Sequence, residues 1–155
     1  TVLHAHKLID NNTPLLIANS DQIVDMNIAE FINDSENRNL DGSVLCFKDH
    51  DTKWSYAKID GEGLITEIRE KVVISEFATV GIYYFAKGGF FVKNAIDMII
   101  RNERVKNEFY VAPVYNFGIQ EGLKFGIFNI NINQMHGIGT PTDLNVYIDL
   151  VQRNK

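Results

Sequence analysis

The chain has 155 residues, of which 45% are hydrophobic and 11% aromatic, so it can bury the core of one globular domain and is not a disordered protein. Its 15 basic and 20 acidic residues give a net charge of −5 without a basic stretch, which argues against a nucleic-acid-binding protein. No apolar run approaches the roughly 20 residues that a membrane-spanning helix needs.

The first ten residues carry apolar side chains at helical spacing and lead into a polar turn at 10–13. Because the chain lacks a starting Met and begins inside a predicted helix, we expect it to be either processed or a piece of a longer protein. Pro14 then opens Leu15–Ala18. Four consecutive apolar residues without alternation predict a strand that is buried on both faces, as in a parallel sheet.

This strand ends in the polar residues Asn19, Ser20 and Asp21. In open α/β sheets, ligands bind beyond the carboxyl ends of the strands, so Asp21 is a candidate site residue. A carboxylate suits Mg²⁺, which takes one or two protein carboxylates and completes its shell with water and substrate phosphate. An ordinary strand-to-helix turn explains the same residues equally well.

A short helix and a second strand follow. Asn27 and Glu30 have the spacing of an N-cap residue and its reciprocal acid, which predicts a short helix and then a surface loop over 34–42. Residues 43–48 predict a buried strand. The single cysteine, Cys46, lies within it and is interpreted as a buried structural thiol. Because one cysteine cannot form an intrachain disulfide, we expect a protein of the reducing cytoplasm.

A β-hairpin is predicted next. Residues 54–59 and 64–70 alternate roughly between apolar and polar side chains, and the glycine-containing segment 60–63 turns the chain between them. Trp54 and Tyr56 could stack on a bound sugar or base, and Ser55 could donate a hydrogen bond to it, but core or hairpin packing explains these residues as well.

The later part of the chain begins with a strongly β-prone run, 78–85, which Gly81 interrupts. A glycine inside a strand often marks a bulge or a point where a ligand approaches the backbone. The other predicted elements are two helices, a strand and a C-terminal helix, at 90–101, 110–120, 125–132 and from Thr140 nearly to the end. Together the elements predict an α/β domain with a mixed, mainly parallel sheet flanked by helices.

Five motifs stand in a characteristic order along the chain. They are Asn-Ser-Asp-Gln at 19–22, Glu-Lys at 70–71, Ala-Thr-Val-Gly-Ile-Tyr at 78–83, Asn-Glu-Phe-Tyr at 107–110 and Gly-Ile-Gly-Thr-Pro-Thr-Asp-Leu at 137–144. In this order they resemble the sugar-phosphate nucleotidyltransferases, and more narrowly a bacterial branch with an Asn-Ser-Asp-Gln signature that is found with capsule and surface-polysaccharide genes. The resemblance covers nearly the whole chain.

This resemblance implies part of a Rossmann-like, GT-A-like nucleotide-diphospho-sugar transferase fold. It also implies a reaction in which an NTP and a sugar phosphate, or a similar phosphorylated building block, give a nucleotide-linked product and pyrophosphate. The implied cofactor is Mg²⁺, and the implied partners are the NTP and the phosphorylated acceptor, without nucleic acid or membrane. A homo-oligomer is compatible with it.

The resemblance assigns roles to individual residues. Asp21 matches the carboxylate that holds the catalytic Mg²⁺, and Lys71 matches the lysine that holds the acceptor phosphate. Glu70 matches the acid that accepts hydrogen bonds from acceptor hydroxyls, and Gly81 the glycine whose backbone borders the acceptor. Without the resemblance, Glu70 and Lys71 are an ordinary solvated pair at a strand end. The further candidates for substrate binding in the same pocket are Trp54, Tyr56, Glu108 and Tyr110.

Two departures from the family pattern matter. Nothing in residues 1–13 resembles the glycine-rich loop that binds the NTP phosphates through backbone N–H groups. We therefore expect residues 1–155 to form a single domain, the C-terminal acceptor-binding portion of a longer enzyme, and to be inactive alone. Gly137 stands where many relatives carry a second metal-binding Asp. Asp143 is interpreted as a helix-start residue and His136 as a packed or surface residue.

Two other functions stay open from the sequence. A glycosyltransferase of the same architecture would use Asp21 to hold a metal and the diphosphate of a nucleotide-sugar donor. A non-catalytic binding module would keep the acceptor pocket without chemistry, and both Gly137 and the missing phosphate loop favour it. The remaining histidines, His4, His6 and His50, lack the spacing to cysteines or carboxylates that a zinc site requires.

Overall fold

The chain alternates strands with short helices. The computed structural model describes residues 2–153. The strands are Leu15–Ala18 (β1), Gln22–Val24 (β2), Gly42–Lys48 (β3), Ser55–Ile59 (β4), Ile65–Glu70 (β5), Phe77–Phe85 (β6), Phe125–Asn129 (β7) and Met135–Gly137 (β8). The α-helices are His6–Ile9 (α1), Ile28–Asn37 (α2), Gly88–Ile100 (α3), Val114–Gln120 (α4) and Pro141–Arg153 (α5), and single 3₁₀ turns lie at Val2–Ala5 and Ile132–Gln134.

The main sheet has the order β5-β4-β6-β3-β7, and β1 also pairs with β6. This arrangement confirms the predicted mixed α/β class. The parallel share is smaller than the sequence predicted, because β3 and β7 are the parallel pair and the other pairings recorded among the described strands are antiparallel. The long strand β6 is the centre of the sheet. It pairs along its whole length with β3, so β4 and β1 share its other side.

The strand β1 is not buried on both faces, which corrects the sequence prediction. Its exposure alternates along the strand, and Leu16 keeps 40% of its surface exposed. Among the described residues β1 pairs only with β6, so it lies at an edge. A run of apolar residues has no periodicity, and it therefore cannot indicate how many of its faces will be covered.

After β1 the chain turns into another strand rather than into a helix. Residues 19–21 connect β1 to β2, which pairs antiparallel with β8 from more than 100 residues later. In this pairing Gln22 faces Gly137. Both strands have only three residues, which is too short for an alternating pattern to be recognised in the sequence. Their pairing brings the Asp21 turn next to the segment that leads into α5.

The core lies on both faces of the main sheet. On one face Tyr115 of α4 packs between Phe85 and Phe125, with ring centroids 4.6 and 4.7 Å away. On the other face Phe31 of α2 packs edge-on against Tyr84 and other aromatic rings. Aromatic pairs at these separations add about 0.5–1.5 kcal/mol to the burial of their surface. Cys46 is fully buried in this core, as predicted.

Several element boundaries differ from the sequence prediction. The helix α2 continues to Asn37 instead of ending near residue 33, and its late residue Ser35 is fully buried against the core. The predicted helix at 110–120 begins only at Val114, and the predicted strand at 125–132 ends at Asn129. The predicted first helix is only the turn Val2–Ala5 and the four-residue α1. Within residues 2–153, the helices are all too short or too polar to cross a membrane.

Candidate functional site

A cleft opens beside β6, where the strand changes its neighbour. On that side β4 pairs with β6 at Ala78, whereas β1 pairs with it from Ile82 onward. The backbone around Gly81 is therefore left beside an open space, a cavity of about 590 Å³. Five of the residues predicted from the sequence line it: Asp21, Trp54, Glu70, Gly81 and Tyr110. The sheet thus brings four separate motifs to one place.

Gly81 has a backbone conformation that other residues rarely adopt. Its φ is +90°, and it lies in a bulge where the pairing of β6 with β3 shifts register. A Cβ atom added here would lie 2.4 Å from Nδ2 of Asn19 and 2.5 Å from Oε1 of Gln22. The backbone N–H of Asn19 donates a hydrogen bond to the Gly81 carbonyl at 3.0 Å. The prediction that this glycine marks a bulge is confirmed, because both the φ angle and the close approach require it.

The carboxylate of Asp21 stands free at the cleft. The residue is exposed, and its backbone carbonyl accepts a hydrogen bond from the amide of Ile138 at 2.8 Å. Gly139 passes so close that a Cβ atom there would lie 3.1 Å from Oδ2 of Asp21. Among the described residues, the side chain of Asp21 has no hydrogen-bond or ion-pair partner. Both oxygens are therefore available to a cation or a donor that enters the cleft.

The donor set around Asp21 fits Mg²⁺ of the kind that arrives with a phosphate ligand. Such a cation needs only one or two protein carboxylates, because water and phosphate oxygens fill its other positions. Within residues 2–153 there is no group of three or more His, Cys, Asp or Glu side chains that could enclose a metal. A Cβ atom at Gly137 would meet no atom within 4 Å, so this position leaves open space in the cleft wall.

Asp143 contributes a second carboxylate to the cleft wall. Its backbone N–H donates a hydrogen bond to the hydroxyl oxygen of Thr140 at 3.2 Å, and the Thr140 hydroxyl donates to Oδ2 of Asp143 at 2.7 Å. This pair begins α5, as the sequence predicted. The same side chain also lines the cleft, which the sequence had not indicated. The turn between β8 and α5 folds back towards Asp21, and no local pattern encodes this return.

Glu70 ends β5 inside the cleft wall, and Lys71 follows at its rim. The Ser55 hydroxyl donates to Oε2 of Glu70, which is buried. Lys71 has a φ of +57°, and its Nζ lies 3.2 Å from the Tyr110 hydroxyl, which in turn donates to Oε2 of Glu108 at 2.5 Å. The hydrogen bond to Tyr110 raises the pKa of Lys71. Lys71 and Glu108 thus reach the cleft through Tyr110 rather than lining it themselves.

The two aromatic residues of the hairpin have different positions. Trp54 lines the cleft, packs edge-on against Phe47 at 5.3 Å, and has the Lys53 ammonium 4.9 Å from its ring centroid. Tyr56 does not line the cleft, which corrects the sequence prediction. Its side chain is fully buried, and its hydroxyl donates to the carbonyl of Asp51 at 2.8 Å. Residues two positions apart in a strand point to the same face, so the alternating pattern alone would place Trp54 and Tyr56 together. They differ because Trp54 precedes the first residue of β4, whereas Tyr56 lies within the strand.

Asp49 holds the indole of Trp54 in place. The Nε1 of Trp54 donates to Oδ2 of Asp49 at 2.9 Å, and the amides of His50 and Asp51 donate to Oδ1. Partial burial alone would raise the pKa of Asp49, but these hydrogen bonds and the charge of Lys53 outweigh it and lower that pKa. Protonation of Asp49 would therefore weaken the support of Trp54.

We expect acid to release Trp54 from this contact. A carboxyl group with a lowered folded-state pKa stabilises the fold above its unfolded pKa, and the stabilisation is lost as the pH falls through the folded-state pKa. The fluorescence of Trp54, the only tryptophan of the chain, should therefore change below about pH 4. D49N should remove this transition. An acid transition of unchanged amplitude in D49N would contradict the assignment.

His136 packs outside the cleft. Its Nε2 lies 2.7 Å from Oδ2 of Asp25, and its ring is 5.2 Å from that of Tyr147. The interpretation of His136 as a packed residue therefore agrees with its position. Sequence reasoning missed several other cleft residues, including Asn19, Gln22, Tyr83, Phe109 and Gly139. Asn19 and Gln22 belong to the Asp21 motif. Ser55, for which the sequence left a pocket donor and hairpin packing open, also lines the cleft.

Comparison with known proteins identifies the family. The family model described as nucleotidyl transferase matches residues 1–109, which is well over half of the chain. The chain belongs to the nucleotidyl transferase family. A search of curated proteins finds no match to this family member.

Solved structures agree with this family in fold. The nucleoside-diphosphate-sugar pyrophosphorylase from Vibrio cholerae RC9 superposes on this nucleotidyl transferase chain with a TM-score of 0.77 at 23% identity, covering 94% of this chain and 59% of that one. A candidate glucose-1-phosphate thymidylyltransferase from Bacillus anthracis, in complex with sucrose, gives a TM-score of 0.72 at 18% identity, with 96% and 58% covered. This chain therefore spans less than three fifths of either structure, and identities this low establish the fold alone.

Proposed function

We propose that the protein transfers a nucleoside monophosphate from an NTP to a sugar phosphate or a similar phosphorylated building block and releases pyrophosphate. In this proposal, the chain is a single domain that forms the C-terminal, acceptor-binding portion of the enzyme. The observation that carries the proposal is the cleft that the free carboxylate of Asp21, the buried Glu70 and Gly81 line together. Membership of the nucleotidyl transferase family supports the general reaction.

Each cleft residue has a task in this reaction. The acceptor phosphate oxygen attacks the α-phosphorus of the NTP, and pyrophosphate leaves with the electrons of the broken P–O bond. Asp21 would hold Mg²⁺, which when bound neutralises charge on the reacting phosphates. Lys71, whose ammonium group donates a hydrogen bond to the Tyr110 hydroxyl, would attract the acceptor phosphate. Glu70 would accept a hydrogen bond from an acceptor hydroxyl, and Gly81 lets the acceptor approach the backbone.

Two further residues would shape the acceptor pocket. The ring of Trp54 lines the cleft and offers a flat apolar face, which suits stacking on a sugar. The side chain of Glu108 would act through Tyr110, because its carboxylate accepts a hydrogen bond from the Tyr110 hydroxyl. In this arrangement Glu108 helps to place both Tyr110 and the ammonium group of Lys71.

Pyrophosphate release tests this proposal. The full-length gene product is incubated with Mg²⁺, each of the common NTPs and a panel of aldose 1-phosphates, and pyrophosphate is measured enzymatically. We expect release that depends on both the NTP and one class of acceptor. Sugar transfer from a nucleotide-sugar without pyrophosphate would instead favour the glycosyltransferase. Binding of an aldose 1-phosphate without any turnover would favour a non-catalytic module, in which Gly137 leaves the second metal position empty.

We also propose a cellular setting. The Asn-Ser-Asp-Gln motif at 19–22 supports a role in making nucleotide-sugars for a surface polysaccharide such as a capsule, in the branch that this motif characterises. We assign this synthesis to the cytoplasm, because the single thiol of Cys46 cannot form an intrachain disulfide. A homo-oligomer is compatible with this role. Loss of the surface polysaccharide after deletion of the gene is the expected phenotype, and an unchanged surface would contradict it.

We expect the chain of 155 residues to release no pyrophosphate by itself. The phosphates of an NTP need several backbone N–H donors arranged in a loop, and nothing in residues 1–13 resembles such a loop. The measurement compares the chain with the full-length gene product at equal concentration, with the same NTPs and aldose 1-phosphates. Measurable turnover by the chain would show that it contains a complete NTP site.

A further inference from the structure

One wall of the cleft carries a group of nearly buried polar side chains, the hydroxyl cluster, which comprises Ser55, Thr79 and Tyr83 and lies beside Glu70. The exposed fractions of Ser55, Thr79, Tyr83 and Glu70 are 7%, 3%, 6% and 8%, so each side chain is nearly removed from water. Buried polar groups are costly unless they are hydrogen-bonded, and a buried carboxylate is the costliest of them. The buried carboxylate of Glu70 therefore needs hydrogen-bond donors, from the hydroxyl cluster or from a bound ligand.

The register of the hairpin places Ser55 directly opposite Glu70. The two residues are Cα partners in the antiparallel pair of β4 and β5, so their side chains share one face. The Ser55 hydroxyl donates to Oε2 of Glu70. Among the described residues, no donor pairs with the other oxygen, Oε1, although the side chain lines the cleft. One oxygen is thus held by the protein, and the other is left free to accept a hydrogen bond from a ligand.

Tyr83 and Thr79 complete the hydroxyl cluster in the cleft wall. The Thr79 hydroxyl lies 3.4 Å from that of Tyr83, which also neighbours Ser55 and lines the cleft. Burial, together with the nearby charge of Glu70, raises the pKa of Tyr83, so the tyrosine remains a neutral donor. The Glu70 carboxylate consequently has one hydroxyl donor, Ser55, and it cannot change its conformation without losing that donor.

We propose that Ser55 is a positioning residue for acceptor recognition, which fixes Oε2 of Glu70 so that Oε1 accepts a hydrogen bond from one hydroxyl of the sugar phosphate. This inference rests on the proposed function and adds its basis for selectivity. An acceptor that lacks this hydroxyl would leave a buried charge without its donor. A site of this kind rejects deoxy analogues much more strongly than an apolar pocket rejects a missing methylene.

The test replaces Ser55 in the full-length gene product. The best substrate of the aldose 1-phosphate panel is compared with its monodeoxy analogues by KM and kcat. S55A should raise KM for this acceptor about 10- to 100-fold and remove most of the discrimination against one deoxy analogue, because a hydrogen bond to a charged group is lost. KM for the NTP should stay within about 2-fold. S55T keeps the hydroxyl and should retain the discrimination.

Ser75 provides the matched control. Its hydroxyl donates to the carbonyl of Ala57 at 2.6 Å, next to the same hairpin but outside the cleft. S75A therefore removes a hydroxyl beside the same hairpin, with its hydrogen bonds to the Ala57 carbonyl and from the Phe77 backbone N–H, and should leave both KM and the discrimination unchanged. If S55A keeps the discrimination, or if S75A loses it to the same extent, the inference is overturned.

Crystal structures of the wild type and of S55A separate this inference from the proposed function. We expect Glu70 to have one conformation in the wild type and a different or mixed conformation in S55A. If the wild type turns over members of the panel but Glu70 has the same conformation in S55A, only the role of Ser55 is overturned. A wild type that binds and converts no member of the panel would overturn the proposed function, and the acceptor part of this inference with it.

Discussion

Replacing Asp21 by Asn is expected to lower kcat of the full-length gene product by about 10²- to 10³-fold, because removal of a group that stabilises charge in the transition state costs several kcal/mol. The substitution keeps the size of the side chain and removes only its charge. Asp21 is exposed and its carboxylate has no partner among the described residues, so the stability should change by less than about 0.5 kcal/mol. The loss would therefore report on chemistry and not on folding.

The Mg²⁺ dependence and two further variants complete this experiment. D21N should need a higher Mg²⁺ concentration for its residual activity. D25N removes the same charge one strand away, where Asp25 contacts His136 outside the cleft, and should retain nearly full activity. A loss in D143N equal to that in D21N would assign Asp143 the same role. Normal activity of D21N would exclude Asp21 as the magnesium ligand.

Replacing Gly81 by Ala is expected to lower the free energy of unfolding by about 2–4 kcal/mol and to weaken acceptor binding. Its φ of +90° is strained for any residue with a side chain. The new methyl group would also push aside the side chains of Asn19 and Gln22, which lie within about 2.5 Å of its position. Both of these side chains line the cleft, so strain at Gly81 is transmitted directly to the site.

Two other glycines separate backbone strain from the steric contact. Gly122 has a similar φ of +85°, but a Cβ atom there meets nothing within 4 Å, so G122A should cost only the strain, about 1 kcal/mol. Gly61 lies in the hairpin turn and has open space without a positive φ, so G61A should cost little. Chemical denaturation measures all three variants. Equal losses in G81A and G122A would show that the contact with Asn19 and Gln22 carries no weight.

Local patterns predicted much of this architecture correctly. The turn at 60–63 and the alternation on either side predicted the hairpin, and Thr140 with Asp143 predicted the start of α5. Gly81 was predicted to mark a bulge, and Cys46 to be buried. In each case the interactions that decide the outcome join residues close together in the sequence, or follow from one residue's own backbone and burial preferences.

Long-range pairing explains what the sequence could not predict. The apolar run of β1 was expected to be buried on both faces, but β1 has only β6 beside it. The pairing of β2 with β8 places Asp21 next to Gly139 and Asp143, which are more than 100 residues away in the chain. Strands of three residues carry no recognisable pattern, so only the folded chain reveals such a neighbourhood.

The sequence by itself indicated candidates for the chemistry, because the motifs around Asp21, Glu70, Lys71 and Gly81 are local and stand in an order that resembles a known family. Only the tertiary structure decided which of them face one space. It placed Tyr56 in the core instead of the cleft, and it added Ser55 as the partner of Glu70. The physical reason is that strand register and strand order depend on packing between distant segments, and no window of sequence contains both sides of that contact.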